Sequence, residues 1–349
     1  MAALGHTLPS AWSLTVERER RSAGLEVDAL LRLSSPDGST AVIVAEVSRK
    51  LEPRAVPHIH TLAQRWRSVF AADAAMIIAP FASPLARERL AEADLGWFDQ
   101  TGNLRLRLDR PSVFIDRQGA DRAPFTDAAD RRLKSLRGPG AARVVRGLLD
   151  GRGPVGVRAL AAGVGVGAGT SARVLELLDR EGLIGRSEAG EVTRVRKRSL
   201  VRRWSQDYGL MTSNEVVRMI DPRGVEHALS ALRKLSDDDH VVTGSAAARA
   251  YLPQETLSVV PLTALTVYTP EPGALERDLG LRPTERGANV LLVRPFDAVL
   301  LEGARTRDRL LCAPAFQAVV DLLTGPGRSS EEAEQLMAVL AADDPGWTA

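Results

Sequence analysis

Cysteine is nearly absent from this chain, Cys312 standing alone among 349 residues. A lone thiol closes no internal disulfide, and without a second cysteine a cysteine-rich zinc site and dithiol redox chemistry are excluded. Lysine is scarce as well, since Lys50, Lys134, Lys197 and Lys234 are the only four of the 46 basic residues. With abundant alanine and glycine, that arginine excess reads as the mark of a GC-rich genome before it reads as a binding strategy. No stretch approaches the roughly 18 uncharged apolar residues that a membrane span needs. The opening MAALGHTLPSAWSLTVERERR lacks the basic start and continuous apolar core of a secretory signal. The expectation is a cytoplasmic protein with no membrane partner. Internal repeats and low-complexity tracts are missing too.

What is present is an ordinary globular composition, 44% hydrophobic and 26% charged, with a net charge of only +2. The length exceeds one core of about 100–150 residues and points to two or three domains. Three segments differ in texture. Residues 1–122 read as α/β: GLEVDALLRLSS and STAVIVAEVSRK are strands paired across the turn SPDG, HIHTLAQRWRSVFAA has helical spacing, and AAMIIAPF is a short apolar strand. SPLARERLAEADL follows as a helix with Ser83 as N-cap and Pro84 at the first position, before the strands GWFDQTGNLRLRL and SVFIDR. Residues 126–204 give three short helices and a strand–turn–strand, the order of a winged helix-turn-helix. Residues 210–349 alternate helices and short strands in an α+β pattern. The best linker candidate is GADRAPFTDAAD.

The middle segment carries the strongest functional signal. In a helix-turn-helix the recognition helix turns its apolar residues inward and leaves polar side chains facing the groove near its start. Val174, Leu177 and Leu178 share one face, and Thr170, Ser171 and Arg173 fall on the first turn. Thr170 and Ser171 also suit an N-cap. The hairpin expected after it, GRSEAGEVTRVRKRSLVRR, holds Arg186, Arg194, Arg196, Lys197, Arg198, Arg202 and Arg203 against Glu188 and Glu191. A basic wing of this kind supplies salt-dependent phosphate contacts, while the recognition helix selects bases. Thr170, Ser171 and Arg173 are the expected groove residues; Arg186, Arg194, Arg196, Lys197 and Arg198 are the expected wing contacts to double-stranded DNA. The rival reading is a winged helix used for protein contacts with its charges merely solvated.

AVIVAEVSRK, residues 41–50, raises a second possibility. A nuclease that works with Mg²⁺ needs acids on neighbouring strands and a lysine to orient water. Asp28 and Glu46 are spaced as such acids, but Ser48 occupies the lysine's place, with Lys50 one step further on the same face of a continued strand. The stretch resembles the PD-(D/E)XK nucleases, whose restriction-endonuclease-like sheet it implies, with an incomplete catalytic set. The alternative for Asp28 and Glu46 is a pair of strand-end acids bridged to arginines. No cofactor is expected unless Asp28 and Glu46 hold Mg²⁺. His58 and His60 in PHIH lie at a helix start without a third ligand, and TGSAAARAYL (243–252) reads as a strand-to-helix turn.

FASPLARERLAEADLGWFDQTGNLRL (81–106), the winged-helix segment, LGLRPTERGANVLLVRPFD (279–297) and FQAVVDLLTGPGRSSEEAEQL (316–336) together resemble the bacterial AbiEi-like type IV antitoxin and transcriptional-regulator proteins. The resemblance implies a DNA-binding regulator that represses its own operon and has a nucleotidyltransferase toxin as neighbour. Glu285, Asn289, Arg294 and Asp297 flank an apolar strand and read as turn caps and ion pairs. The last segment is expected to serve dimerisation or to bind a partner or effector, because winged helices commonly act as homodimers on two half-sites.

Overall fold

The computed structural model describes residues 8–124, 133–151, 153–235 and 240–348. These divide into two compact units, one before residue 132 together with 180–182, the other made of the rest. The linker expected at 119–130 lies partly outside the described residues, as do residues 1–7.

The first unit is built on a seven-stranded mixed sheet whose strands lie in sequence order. β1 (Ser13–Ser22), β2 (Leu25–Ser34) and β3 (Thr40–Val47) form an antiparallel meander. The β2–β3 turn uses its residues as SPDG predicts: Asp37 accepts from the Ser39 N–H at 2.9 Å, and Gly38 takes φ 85°, where a Cβ would be strained. α1 (Val56–Val69) leads to β4 (Ala74–Ala79), parallel to β3, and α2 (Pro84–Glu92) leads to β5 (Gly96–Asp99), parallel to β4. Ser83 caps α2, its hydroxyl accepting from the Ala86 N–H at 3.3 Å. β6 (Leu104–Leu108) and β7 (Val113–Arg117) complete the sheet antiparallel.

Both faces of this sheet are covered, which is why β3 reads as an unbroken apolar run. On one face Val44, Ile77 and Ala79 pack with Val56, Ala63, Trp66, Ala86 and Leu90 of the helices. The other face has its own core of Leu31, Leu33, Ile43, Met76, Phe98, Leu104 and Leu106, joined by Leu14 of β1 and Val113 and Ile115 of β7. The sequence reading has no strand before residue 24, yet β1 is one. Its Glu17, Arg18, Glu19, Arg20 and Arg21 hide the strand because they lie on an exposed edge, where charge discourages pairing with another chain. Glu19, at φ 51°, interrupts the β1–β2 pairing opposite Asp28 without shifting its register.

The second unit opens with α3 (Pro139–Asp150), α4 (Val157–Gly163) and α5 (Ala168–Arg180). An antiparallel hairpin follows, β8 (Ile184–Arg186) and β9 (Val192–Val195), then α6 (Lys197–Trp204) and α7 (Leu210–Ser213). The remaining chain is β10 (Glu215–Ile220), α8 (Val225–Leu232), β11 (Val241–Thr243), α9 (Gly244–Tyr251), β12 (Leu265–Tyr268), α10 (Pro272–Leu279), β13 (Arg282–Pro283), β14 (Val290–Arg294), β15 (Arg305–Arg307), β16 (Leu310–Cys312), α11 (Ala315–Leu323) and α12 (Ser329–Asp343). Its seven strands order as β13-β10-β14-β12-β11-β16-β15 in a second mixed sheet. TGSAAARAYL is the β11–α9 turn. Apart from 126–131 and 180–182, the segments read as 126–204 and 210–349 share this unit. The chain is thus mixed α/β with two large mixed sheets. Among the described residues no helix is long and apolar enough to cross a membrane.

Candidate nucleic-acid interface

The three helices and the hairpin are held by a small apolar core. α3 buries Val144, Val145, Leu148 and Leu149; α4 buries Leu160 and Ala161; α5 buries Val174, Leu175, Leu177 and Leu178. Gly147 lets α3 and the end of α4 approach, since a Cβ there would lie 2.5 Å from Val164 Cγ1. Between α3 and α4, Val155 pairs with Val192 of β9, so the hairpin is tied back to the helices.

The outer face of α5 carries Ala172, Arg173 and Glu176. Arg173 is exposed, held only by long contacts from Nε to Gly169 O (3.3 Å) and from Nη2 to Thr170 Oγ1 (3.4 Å). Thr170 is half-buried beside it. Ser171 is not a surface residue: it is fully buried, and its Oγ has no hydrogen-bond partner. One helical position past Thr170, the side chain turns through about 100° into the core. On the hairpin Arg186 and Arg194 are exposed, as are Glu188 and Glu191, and Arg196 at its end is half-buried.

The basic run expected on the wing is divided. The hairpin ends at Val195, and residues 197–204 form α6, which buries Leu200, Val201 and Trp204. Lys197 is therefore drawn inward. Its Nζ lies 2.8 Å from Asp344 and donates to Gly151 O at 2.9 Å, with only 6% of the side chain exposed. Arg198 and Arg202 both bind Glu334, and Arg203 binds Asp207 at 2.7 Å. Lys197 is closed in a buried ion pair and half-buried Arg198 is engaged by Glu334, so neither joins the exposed set. That set is Arg173, Arg186 and Arg194, with Thr170 and Arg196 at its margin.

The acids of the first unit do face each other. β2 and β3 pair Ala29 with Ala45, and the next positions outward are Asp28 and Glu46. Asp28 Oδ2 accepts from the Val47 N–H at 2.7 Å, whereas Glu46 Oε2 is buried with no partner. Burial, then the negative charge of Asp28, raise the Glu46 pKa above its ordinary value. Lys50 does not complete a set. β3 stops at Val47, so Ser48, Arg49 and Lys50 no longer alternate on its faces, and Lys50 Nζ lies 3.6 Å from Glu52. Among the described residues no group of three His, Cys, Asp or Glu side chains is placed to hold a metal. His58 and His60 both lie within α1; His60 Nδ1 contacts Ala93 O at 3.1 Å and its Nε2 contacts Gln64 at 2.9 Å.

Other marked stretches have structural roles. Asp99, 1% exposed, accepts from the backbone of Ala82, Thr101 and Asn103 and from the Thr101 and Asn103 side chains, organising the turn DQTGN. Burial works to raise its pKa, but those hydrogen bonds outweigh it and hold the carboxyl below the usual range. Asn289 clamps the backbone of Asp221 with bonds of 2.8 and 2.9 Å, and Arg294 pairs with Glu215 at 3.0 Å. Asp297 caps the turn at Val299 and meets Arg143 at 3.1 Å.

One cluster escaped the sequence reading. Asp321 on α11 is fully buried and meets Tyr208, Thr243, Tyr268 and Gln317, while Arg146 of α3 donates to Gln317 Oε1 at 2.5 Å. Its one sequence signal is an acid inside the apolar helix AFQAVVDLL. Compared with known proteins, the chain matches no family and no curated relative.

Proposed function

We propose that this protein is a DNA-binding transcriptional regulator, antitoxin-like, that grips duplex DNA through a winged helix-turn-helix formed by α3, α4, α5 and the β8–β9 hairpin. The observation that carries it is the division of α5 and the hairpin: every large apolar side chain of α5 faces the core, and Arg173, Arg186 and Arg194 face solvent. Helix, bridging residue, helix, helix, hairpin is also the chain order of that motif. Arg173 and Thr170 meet base edges in the major groove, and Arg186, Arg194 and Arg196 lean on phosphates. The protein acts as a homodimer on paired half-sites, with a toxin as a further partner. Three exposed arginines make a modest footprint, consistent with two copies sharing the site. A labelled duplex panel that includes the gene's own upstream region tests this reading; absence of retention of every duplex at low salt refutes it. Stoichiometric co-purification of a nucleotidyltransferase tests the toxin partner.

The first unit, in this reading, is a nuclease-like sheet without its catalytic lysine. Its three-stranded meander, helix and parallel strand set Asp28 and Glu46 side by side on neighbouring strands, as a nuclease-like sheet requires. One observation favours retained cleavage, namely the unpartnered Glu46 oxygen beside Asp28, where Mg²⁺ would supply charge neutralisation and a bound water. The position of Lys50 beside Glu52 speaks against it. Incubating supercoiled plasmid with Mg²⁺ decides: cleavage lost in Glu46→Ala would make the protein an endonuclease, and intact plasmid leaves it a regulator.

A further inference from the structure

The buried cluster around Asp321 contains more oxygen–oxygen contacts than its hydroxyl hydrogens can fill. Tyr208 Oη lies 2.8 Å from Asp321 Oδ1, Tyr268 Oη 2.8 Å from Asp321 Oδ2, and Thr243 Oγ1 2.5 Å from the same Oδ2. The two tyrosine oxygens lie 2.8 Å from each other. That is four close contacts between oxygens. Each needs a hydrogen between its atoms, because two bare oxygens at that distance repel. The three hydroxyls bring one hydrogen each. The surrounding amides do not help: Asn214 Nδ2 donates to Tyr208 Oη at 3.1 Å and Gln317 Nε2 to Asp321 Oδ1 at 2.9 Å, neither standing between two of the oxygens.

We infer that Asp321 holds the missing fourth hydrogen, so that Asp321, Tyr208 and Tyr268 form a closed ring of hydrogen bonds that fastens α11 to the segment after α6 and to β12 in a proton-dependent way. The ring runs in either sense, carboxyl O–H to one tyrosine, that tyrosine to the other, and the second back to the free carboxylate oxygen, with Thr243 donating from β11. Removing the proton leaves one contact bare whichever way the hydroxyls turn. The groups packed on Asp321 agree with this balance. Burial pushes both phenols well above their ordinary pKa, so neither gives up its hydrogen, and burial lifts Asp321 itself to about 6 against the four donors that lower it. Arg146 of α3, whose charge is felt by Asp321, donates to Gln317 Oε1 at 2.5 Å and to Glu302 O at 2.6 Å. The inference does not rest on DNA binding.

Asp321→Asn tests it. Asparagine supplies the hydrogen permanently: with Nδ2 in the place of Oδ2 it donates to Tyr268, its oxygen accepts from Tyr208 and Gln317, and Thr243 turns from donor to acceptor. The expected result is a melting temperature for the wild type that falls, relative to the variant, as pH rises from 5 to 8, with the variant at least as stable at pH 8. A protonated-carboxyl C=O stretch in the infrared spectrum of the wild type, absent from the variant, is expected below pH 6. If the variant is less stable by the same margin at every pH, Asp321 is an ionised acceptor and the inference fails. If the variant does not fold, the infrared titration of the Glu46→Gln protein, in which the other raised carboxyl is removed, decides, and a carboxylate signal unchanged from pH 5 to 8 overturns the inference.

Discussion

Lys197 Nζ and Asp344 Oδ2 lie 2.8 Å apart beneath the surface of the second unit, joining the start of α6 to the end of α12. This pairing converts a residue that reads as part of a basic DNA-binding wing into an internal tie. Breaking one side of a buried pair strands the other charge. Lys197→Met is expected to cost up to about 3 kcal/mol, the lower end for such pairs because Asp344 keeps some contact with water. Denaturant unfolding reads the loss, while the salt dependence of duplex binding stays as in the wild type.

Ser171 is the second residue whose expected and observed roles part. A buried hydroxyl without a partner costs free energy that a methyl group does not. Ser171→Ala is expected to leave DNA affinity unchanged and to raise stability by roughly 1 kcal/mol. A loss of affinity without a loss of stability would return Ser171 to the groove face.

Arg173 stands one turn along the exposed side of α5, where a guanidinium reaches base edges if this helix enters the major groove. Arg173→Ala is expected to lower discrimination between the preferred site and its single-base variants by about 1–3 kcal/mol. Competition binding with such variants checks it. Uniform weakening across all sequences would make Arg173 a phosphate contact instead.

Glu46 gives a pH dependence of known sign. Burial and the neighbouring Asp28 raise its folded pKa above the unfolded value. Its contribution to stability is therefore present below the unfolded pKa and is lost as pH rises through the folded one. Glu46→Gln is expected to melt higher than the wild type at pH 7, and the difference should shrink to nothing as pH falls towards 4. Equal melting curves at pH 7 would show that the charge is relieved by water or a cation.

The elements that local chemistry specifies were legible in the sequence. SPDG gives its turn, Ser83-Pro84 its helix start, and the alternation in GLEVDALLRLSS its strand. KRSLVRRW invites counting of charge and reads as wing, whereas Leu200, Val201 and Trp204 carry the helical spacing that makes the segment α6. Lys50 shares a face with Glu46 only in a strand that continues past Val47, and strand ends depend on pairing partners that a single sequence does not display. β1 was hidden by its charges. The Asp321 cluster draws on positions 146, 208, 243, 268, 317 and 321, which only the folded sheet brings together.

The most direct measurement is the salt dependence of duplex binding by the wild type and by a double variant, Arg186→Ala with Arg194→Ala. Each arginine that neutralises a phosphate adds about one unit to the slope of log affinity against log salt. If the hairpin is a wing on DNA, the double variant binds more weakly to every duplex and its slope is shallower by about two units for each bound copy, about four for the dimer. Superimposable titrations, with the wild type retaining DNA, would place the interface elsewhere on the molecule and contradict the proposal.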